Sequence, residues 1–266
     1  MISINGIKAE LGSFPDGTML IKQAPPAEEE VKISWYYEND RELVALIYLA
    51  NHMKAHGHGN IHLYMPYIPN ARQDRVKGAE DVFTLKYFAN VINGLGFKTV
   101  TVLDPHSSVS EALIDNIVIQ KPQGLIESVI DRITKLEGEQ PSMFYPDEGA
   151  GKRYSGMIPL PYAFGIKKRD WKTGQIQGLE VSGDTGNIAG KNILIVDDIC
   201  SKGGTFYFSA KRLKELGAGN IYLYITHCEN SIMEGEVLTS GLIKRVFTTN
   251  SILTKEHEKI ELISLQ

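Results

Sequence analysis

The chain has 266 residues, 42% hydrophobic and 23% charged, with a net charge of −4 and a pI near 6.0. This is the composition of an ordinary folded protein, long enough for one large or two small α/β domains, and it lacks the basic stripe that nucleic-acid binding needs. The longest apolar run, Leu43 to Ala50, is too short to span a bilayer, and MISINGIKAE has no basic-then-apolar signal pattern. Two cysteines, Cys200 and Cys228, make no disulfide framework, so a reducing, cytoplasmic setting is expected.

Residues 1–22 read as a β-rich start with Phe14 to Thr18 as its turn, followed by a Pro- and Glu-rich connection, Ala24 to Glu30. Arg41 to Gly57 has helical apolar spacing (Leu43, Leu46, Ile47, Ala50, Met53) and a glycine stop. Ile61 to Tyr67 predicts a buried strand, and MPYIPNARQDRV supplies a loop. A second helix is expected over Asp81 to Gly94, a strand over Lys98 to Leu103 ending in Asp104-Pro105-His106, and a third helix from about Gly124 to Leu136. Glu137 to Pro141 reads as a boundary.

A second α/β unit begins with a strand at Met143 to Tyr145 that feeds the loop PDEGAGKR, and another at Ala163 to Arg169 that feeds a polar loop with Trp171. Further strands are expected at Ile193 to Val196, Ile221 to His227, Ile243 to Thr248 and Ile260 to Leu265, with a helix over Gly203 to Leu216. The alternation predicts an α/β fold: two tandem parallel-sheet domains, 1–140 and 141–266.

The chemistry concentrates in Lys191 to Thr205, KNILIVDDICSKGGT. A fully apolar strand ends in Asp197 and Asp198, and Ser201-Lys202-Gly203-Gly204-Thr205 opens a helix. Free N–H groups at a helix start favour an anion, and carboxylates accept hydrogen bonds from vicinal sugar hydroxyls. Phosphate on the loop and sugar on the acids describe a ribose-phosphate site. No G-x-x-x-x-G-K-[ST] string occurs, so a P-loop is not supported. His52, His56, His58 and His62 lack a fixed acid or cysteine to complete a metal site, and histidines near a helix C-terminus are favoured by its dipole.

This loop resembles the PRPP-binding loop of type I phosphoribosyltransferases and PRPP synthetases. Ala71-Arg72-Gln73-Asp74-Arg75 is similar to the ATP-contacting motif of the ribose-phosphate pyrophosphokinases (PRPP synthetases). Phe14-Pro15-Asp16-Gly17 resembles that family's Phe-Ser-Asp-Gly turn, and Asp104-Pro105-His106 its Asp-Leu-His. Tyr145-Pro146-Asp147 through Lys152-Arg153 resembles Ser-Pro-Asp with a following basic pair, and Lys168-Arg169 its catalytic basic run.

The resemblance implies a type I phosphoribosyltransferase-like fold and transfer of the β,γ-diphosphoryl group of Mg²⁺-ATP to the anomeric hydroxyl of ribose 5-phosphate, giving PRPP and AMP. It implies ATP contacts at Phe14, Asp16, Arg72, Gln73 and Asp74, the last equally readable as a loop-bracing acid. Mg²⁺ ligands would be His106 and Asp147, catalytic cations Lys168 and Arg169, and the ribose-phosphate site Asp197, Asp198 and Ser201 to Thr205. It also implies a homo-oligomer, with the Phe14 turn serving a neighbouring subunit. The chain departs from the family at Thr18, at Asp170, and at Ser201-Lys202, where an acid and a hydroxyl are usual. Lys202 is suited to a second phosphate, as in ADP-ribose, the acceptor of related phage ADP-ribose pyrophosphokinases of NAD rebuilding. A non-catalytic PRPP-synthetase-associated protein and a phosphoribosyltransferase are the other readings. His106, Asp147, Lys168, Asp197 and Asp198 keep the resembled site residues, which speaks against the first, and the ATP loop speaks against the second.

Overall fold

The structure, a computed structural model, describes residues 1–169 and 176–265, without the side chains of residues 167 to 178. It divides into two compact units, Met1–Lys121 and Pro122–Gln266.

The first unit runs β1 (Ile2–Ile4), β2 (Ile7–Lys8), β3 (Glu10–Ser13), β4 (Met19–Lys22), β5 (Glu30–Trp35), α1 (Arg41–Ala55), β6 (Asn60–Tyr64), α2 (Thr84–Gly94), β7 (Thr99–Leu103), α3 (Ser108–Leu113) and β8 (Ile117–Gln120). Its main sheet has the order β2-β1-β5-β6-β7-β8, parallel from β5 onward and antiparallel at β1. Val31, Ile33 and Trp35 alternate into the core, where the apolar faces of α1 (Leu46, Leu49, Met53) and α2 (Leu85, Phe88, Ile92) cover the sheet. Burying one such side chain is worth about 1.5–3 kcal/mol. Strands β3 and β4 form a separate hairpin, and Arg41 at the start of α1 holds its Gly12 carbonyl at 2.9 Å and the Ser13 hydroxyl.

The second unit runs α4 (Gln123–Glu137), β9 (Ser142–Tyr145), α5 (Glu148–Tyr154), β10 (Tyr162–Arg169), β11 (Ile176–Gly183), β12 (Ile193–Cys200), α6 (Gly204–Glu215), β13 (Ile221–Cys228), α7 (Glu236–Thr239), β14 (Arg245–Thr249) and β15 (Ile260–Ile263). Its sheet has the order β11-β10-β9-β12-β13-β14-β15, parallel except where β11 pairs with β10. Every residue of β13 is buried, as a central parallel strand covered on both faces requires. From β9 the chain passes through α5 to β10 on one side; from β12 it passes through α6 to β13 on the other. The strand order therefore reverses between β9 and β12, and the crevice outside their carboxyl ends is where such sheets bind ligands.

The structure moves several expected boundaries. The unit division falls at Lys121 rather than near residue 140, because α4 buries Ile126, Val129, Ile130 and Ile133 against Met143 and Tyr145 of β9. The loop PDEGAGKR is largely helix α5, and α2 begins at Thr84 because Asp81 instead accepts from the N–H groups of Lys77 and Gly78. Strand β12 runs through both acids to Cys200, since Ile199 and Cys200 still pair with His227 and Cys228. The expected elements do not include β5, β8, β11, α3 or α7. No described helix is long and apolar enough to cross a membrane.

Candidate active site

In the second unit the crevice is built from β12 outward. β9 pairs with β12 only as far as Ile195, so Asp197 and Asp198 project beyond the end of their neighbour. Asp198 is buried and meets the Arg153 guanidinium of α5 at 3.0 Å. Burial and then the Asp198 charge push the Asp197 carboxyl well above the usual carboxylate range, with Asp147 adding a smaller push. Asp147 caps α5, its carboxylate accepting from the Ala150 N–H at 3.0 Å. Helix α5 thus brings Asp147 and Arg153 beside the two acids of β12.

The loop that follows is held from one side. Gly203 has φ +77°, and a Cβ there would lie 2.3 Å from Val237 Cγ2. A Cβ at Gly235 would lie 1.8 Å from the Lys202 carbonyl oxygen. Both positions therefore demand glycine, one for its conformation and both for space. Among the described residues none accepts a hydrogen bond from the N–H of Lys202, Gly203, Gly204 or Thr205. These donors open the twelve-residue helix α6 and suit an anion. The Ser201 hydroxyl donates to Glu229, and Lys202 meets Glu234 at 2.8 Å.

In the first unit, the loops after adjacent strands β6 and β7 meet. Asp74 is buried and takes the Arg75 guanidinium through both oxygens, at 2.8 and 3.2 Å. That pairing holds its carboxyl below the usual range, helped by a hydrogen bond to Ser107 and the nearby His106 ring. Asp74 is therefore a brace between the two loops. Arg72 and Gln73 are exposed, and the Gln73 side-chain oxygen accepts from Thr84 at 2.8 Å.

A family profile described as "Phosphoribosyl synthetase-associated domain" matches residues 174–265. The ribose-phosphate pyrophosphokinase of Saccharolobus solfataricus is 27% identical over 98% of this chain and 90% of its own length. That of Pyrococcus abyssi is 29% identical, over 97% of this chain and 89% of its own. A crystal structure of phosphoribosylpyrophosphate synthetase from Mycobacterium smegmatis shares the fold, with a TM-score of 0.79 at 19% identity over 97% of this chain and 86% of that one. The chain is therefore similar, along nearly its whole length, to the ribose-phosphate pyrophosphokinase family.

The fold is the type I phosphoribosyltransferase-like α/β fold expected of that family. Of the residues that resemble pyrophosphokinase motifs, the structure joins Asp147, Asp197 and Asp198 in one unit, and Asp74 with His106 in the other. The Phe14 turn bonds within itself: Asp16 accepts from the Thr18 N–H and hydroxyl at 2.9 and 2.7 Å, which lowers its pKa. No hydrogen bond or ion pair ties Phe14 or Asp16 to Arg72, Gln73 or His106 among the described residues. Lys168 and Arg169 end β10, but their side chains lie outside the described set, as does Asp170 altogether.

Among the described residues no group of three or more His, Cys, Asp or Glu is arranged to hold a metal ion. Three charged residues near the site had no assigned role in the sequence reading: Arg153, Glu229 and Glu234. For Arg153 the signal was its place in the quoted basic pair. For the two glutamates it was their position just after a central parallel strand.

Proposed function

We propose that this chain transfers the β,γ-diphosphoryl group of ATP to the anomeric hydroxyl of a ribose 5-phosphate-type acceptor. The observation that carries this reading is the crevice at β12, where two acids stand next to four backbone N–H groups without acceptors. Asp197 and Asp198 would take the vicinal hydroxyls, and the loop from Lys202 to Thr205 the 5-phosphate. Arg72 and Gln73 would serve ATP, with Asp74 bracing rather than touching it. The anomeric oxygen attacks the β-phosphorus in line, the bond to the bridging oxygen of AMP breaks, and the hydroxyl proton leaves to solvent. Lys168 and Arg169, on the strand next to β9, would stabilise the charge that shifts onto AMP. His106 in the first unit and Asp147 in the second would each serve as a Mg²⁺ ligand, and the ion would neutralise phosphate charge on ATP.

The test incubates protein, Mg²⁺-ATP and each sugar. AMP without ADP is expected. No AMP with any acceptor would leave a non-catalytic, PRPP-synthetase-associated regulatory protein. A second acceptor, ADP-ribose, is favoured by Lys202, which is exposed at the rim of the loop and paired only across an exposed ion pair. Lys202→Ala should then lose about one to two decades of kcat/KM for ADP-ribose, and less for ribose 5-phosphate. The half-exposed Phe14 at a hairpin tip fits a role in a neighbouring subunit, so a homo-oligomer is proposed, testable by sedimentation. The two buried free cysteines fit a reducing, cytoplasmic compartment.

A further inference from the structure

Behind the phosphate loop stands a carboxylate that the proposed reaction does not use. Glu229 follows β13, its backbone N–H donating to the Cys200 carbonyl at 2.8 Å. Its Oε2 accepts from the Ser201 hydroxyl and, at 3.1 Å, from Ser231. It is close enough to Cys200 to help raise that thiol's pKa, after the hydrogen bond with Cys228 and burial. Gly235 and Val237, a few residues on, press against Lys202 and Gly203. The segment therefore grips the whole turn, and Glu229 is its charged end.

Two consequences follow from elementary chemistry. A serine hydroxyl has a single proton, and toward a carboxylate it must donate it. Ser201 cannot then donate to a phosphate, so the loop offers its ligand backbone N–H groups, the Thr205 hydroxyl and the Lys202 ammonium. The carboxylate also opposes anionic charge on the loop, and it opposes two charges on one phosphorus more than one.

Resting on the proposed diphosphoryl transfer, we infer that Glu229 is a positioning and specificity-determining residue. It fixes Ser201 and biases the loop against a terminal phosphate monoester, which carries nearly two charges at pH 8, in favour of a sugar whose 5-phosphate is esterified further and carries one. An amide at this position keeps the acceptor for Ser201 and removes the charge; a methyl removes both.

The experiment measures binding by calorimetry at pH 8 and low salt, for ribose 5-phosphate and ADP-ribose, with wild type, Glu229→Gln and Glu229→Ala, and AMP formation in parallel. Glu229→Gln should bind ribose 5-phosphate roughly tenfold more tightly and ADP-ribose with a smaller change, the gain shrinking at high salt. Glu229→Ala should also gain affinity for ribose 5-phosphate, because the charge is gone and the freed Ser201 hydroxyl can turn to the phosphate. Equal affinities for ribose 5-phosphate in wild type and Glu229→Gln overturn the inference, as does an equal gain for both sugars. Binding that follows the expected pattern with no AMP from either sugar would uphold Glu229 and refute diphosphoryl transfer instead.

Discussion

Asp197→Asn should make the protein more stable and less active. The Asp197 carboxyl is raised by burial first and by Asp198 second, and among the described residues it is Asp198, not Asp197, that meets a guanidinium, that of Arg153. A carboxyl whose folded pKa lies above its unfolded value of about 3.9 favours the folded state most below that value. That favour is lost as pH rises through the folded pKa, because the unfolded chain ionises freely and the crevice does not. The asparagine variant has no charge to desolvate. Its gain should be smallest at pH 4.5, which already lies above the unfolded value, and grow with pH to about 1–3 kcal/mol, the usual cost of an uncompensated buried polar group. At roughly 2–4 °C per kcal/mol for a protein of this size, Tm should rise by several degrees at pH 8. Urea unfolding of both proteins from pH 4.5 to 8 measures the gain. If Asp197 holds the ribose hydroxyls, kcat/KM for AMP formation should fall about ten- to a hundredfold, the cost of one charge-assisted bond. A variant that is less stable at pH 8, or whose stability difference is the same at every pH, would show that burial does not govern this carboxyl.

Lys168→Ala should lower turnover by roughly 10²–10³ with ATP binding nearly intact, measured by AMP formation and nucleotide titration; full turnover would place the charge elsewhere. Asp147→Ser keeps a helix-capping oxygen for Ala150 while removing the carboxylate, so it should melt like wild type yet need more Mg²⁺. If its Mg²⁺ dependence is normal, Asp147 is a cap alone. Gly203→Ala should cost about 1–3 kcal/mol in thermal or urea unfolding, and adding Val237→Ala should recover only part, because the smaller residue relieves the 2.3 Å contact but not the positive φ.

How far the sequence could be read depended on whether a residue's role was local. The run Ile193 to Val196 announced a central strand because a parallel strand buried on both faces has no polar positions. The start of α5 was missed because its signal is a single capping acid, Asp147, in a stretch with three glycine or alanine residues and no apolar stripe. β11 was missed because Ile176–Gly183 has little apolar content and gains its partner only from β10.

The sequence by itself determined the α/β class, the order of the motifs and the identity of the acids and the Gly-Gly-Thr turn, since each rests on neighbours along the chain. Tertiary structure decided which of those residues meet. Arg153 reaches Asp198 because β9 and β12 are adjacent although 47 residues lie between Tyr145 and Ile193. Glu229 reaches Ser201 because β13 lies next to β12 in parallel register, which ends both strands at the same height. A hydrogen bond depends on distance in space, and strand order, which no local pattern encodes, is what sets that distance.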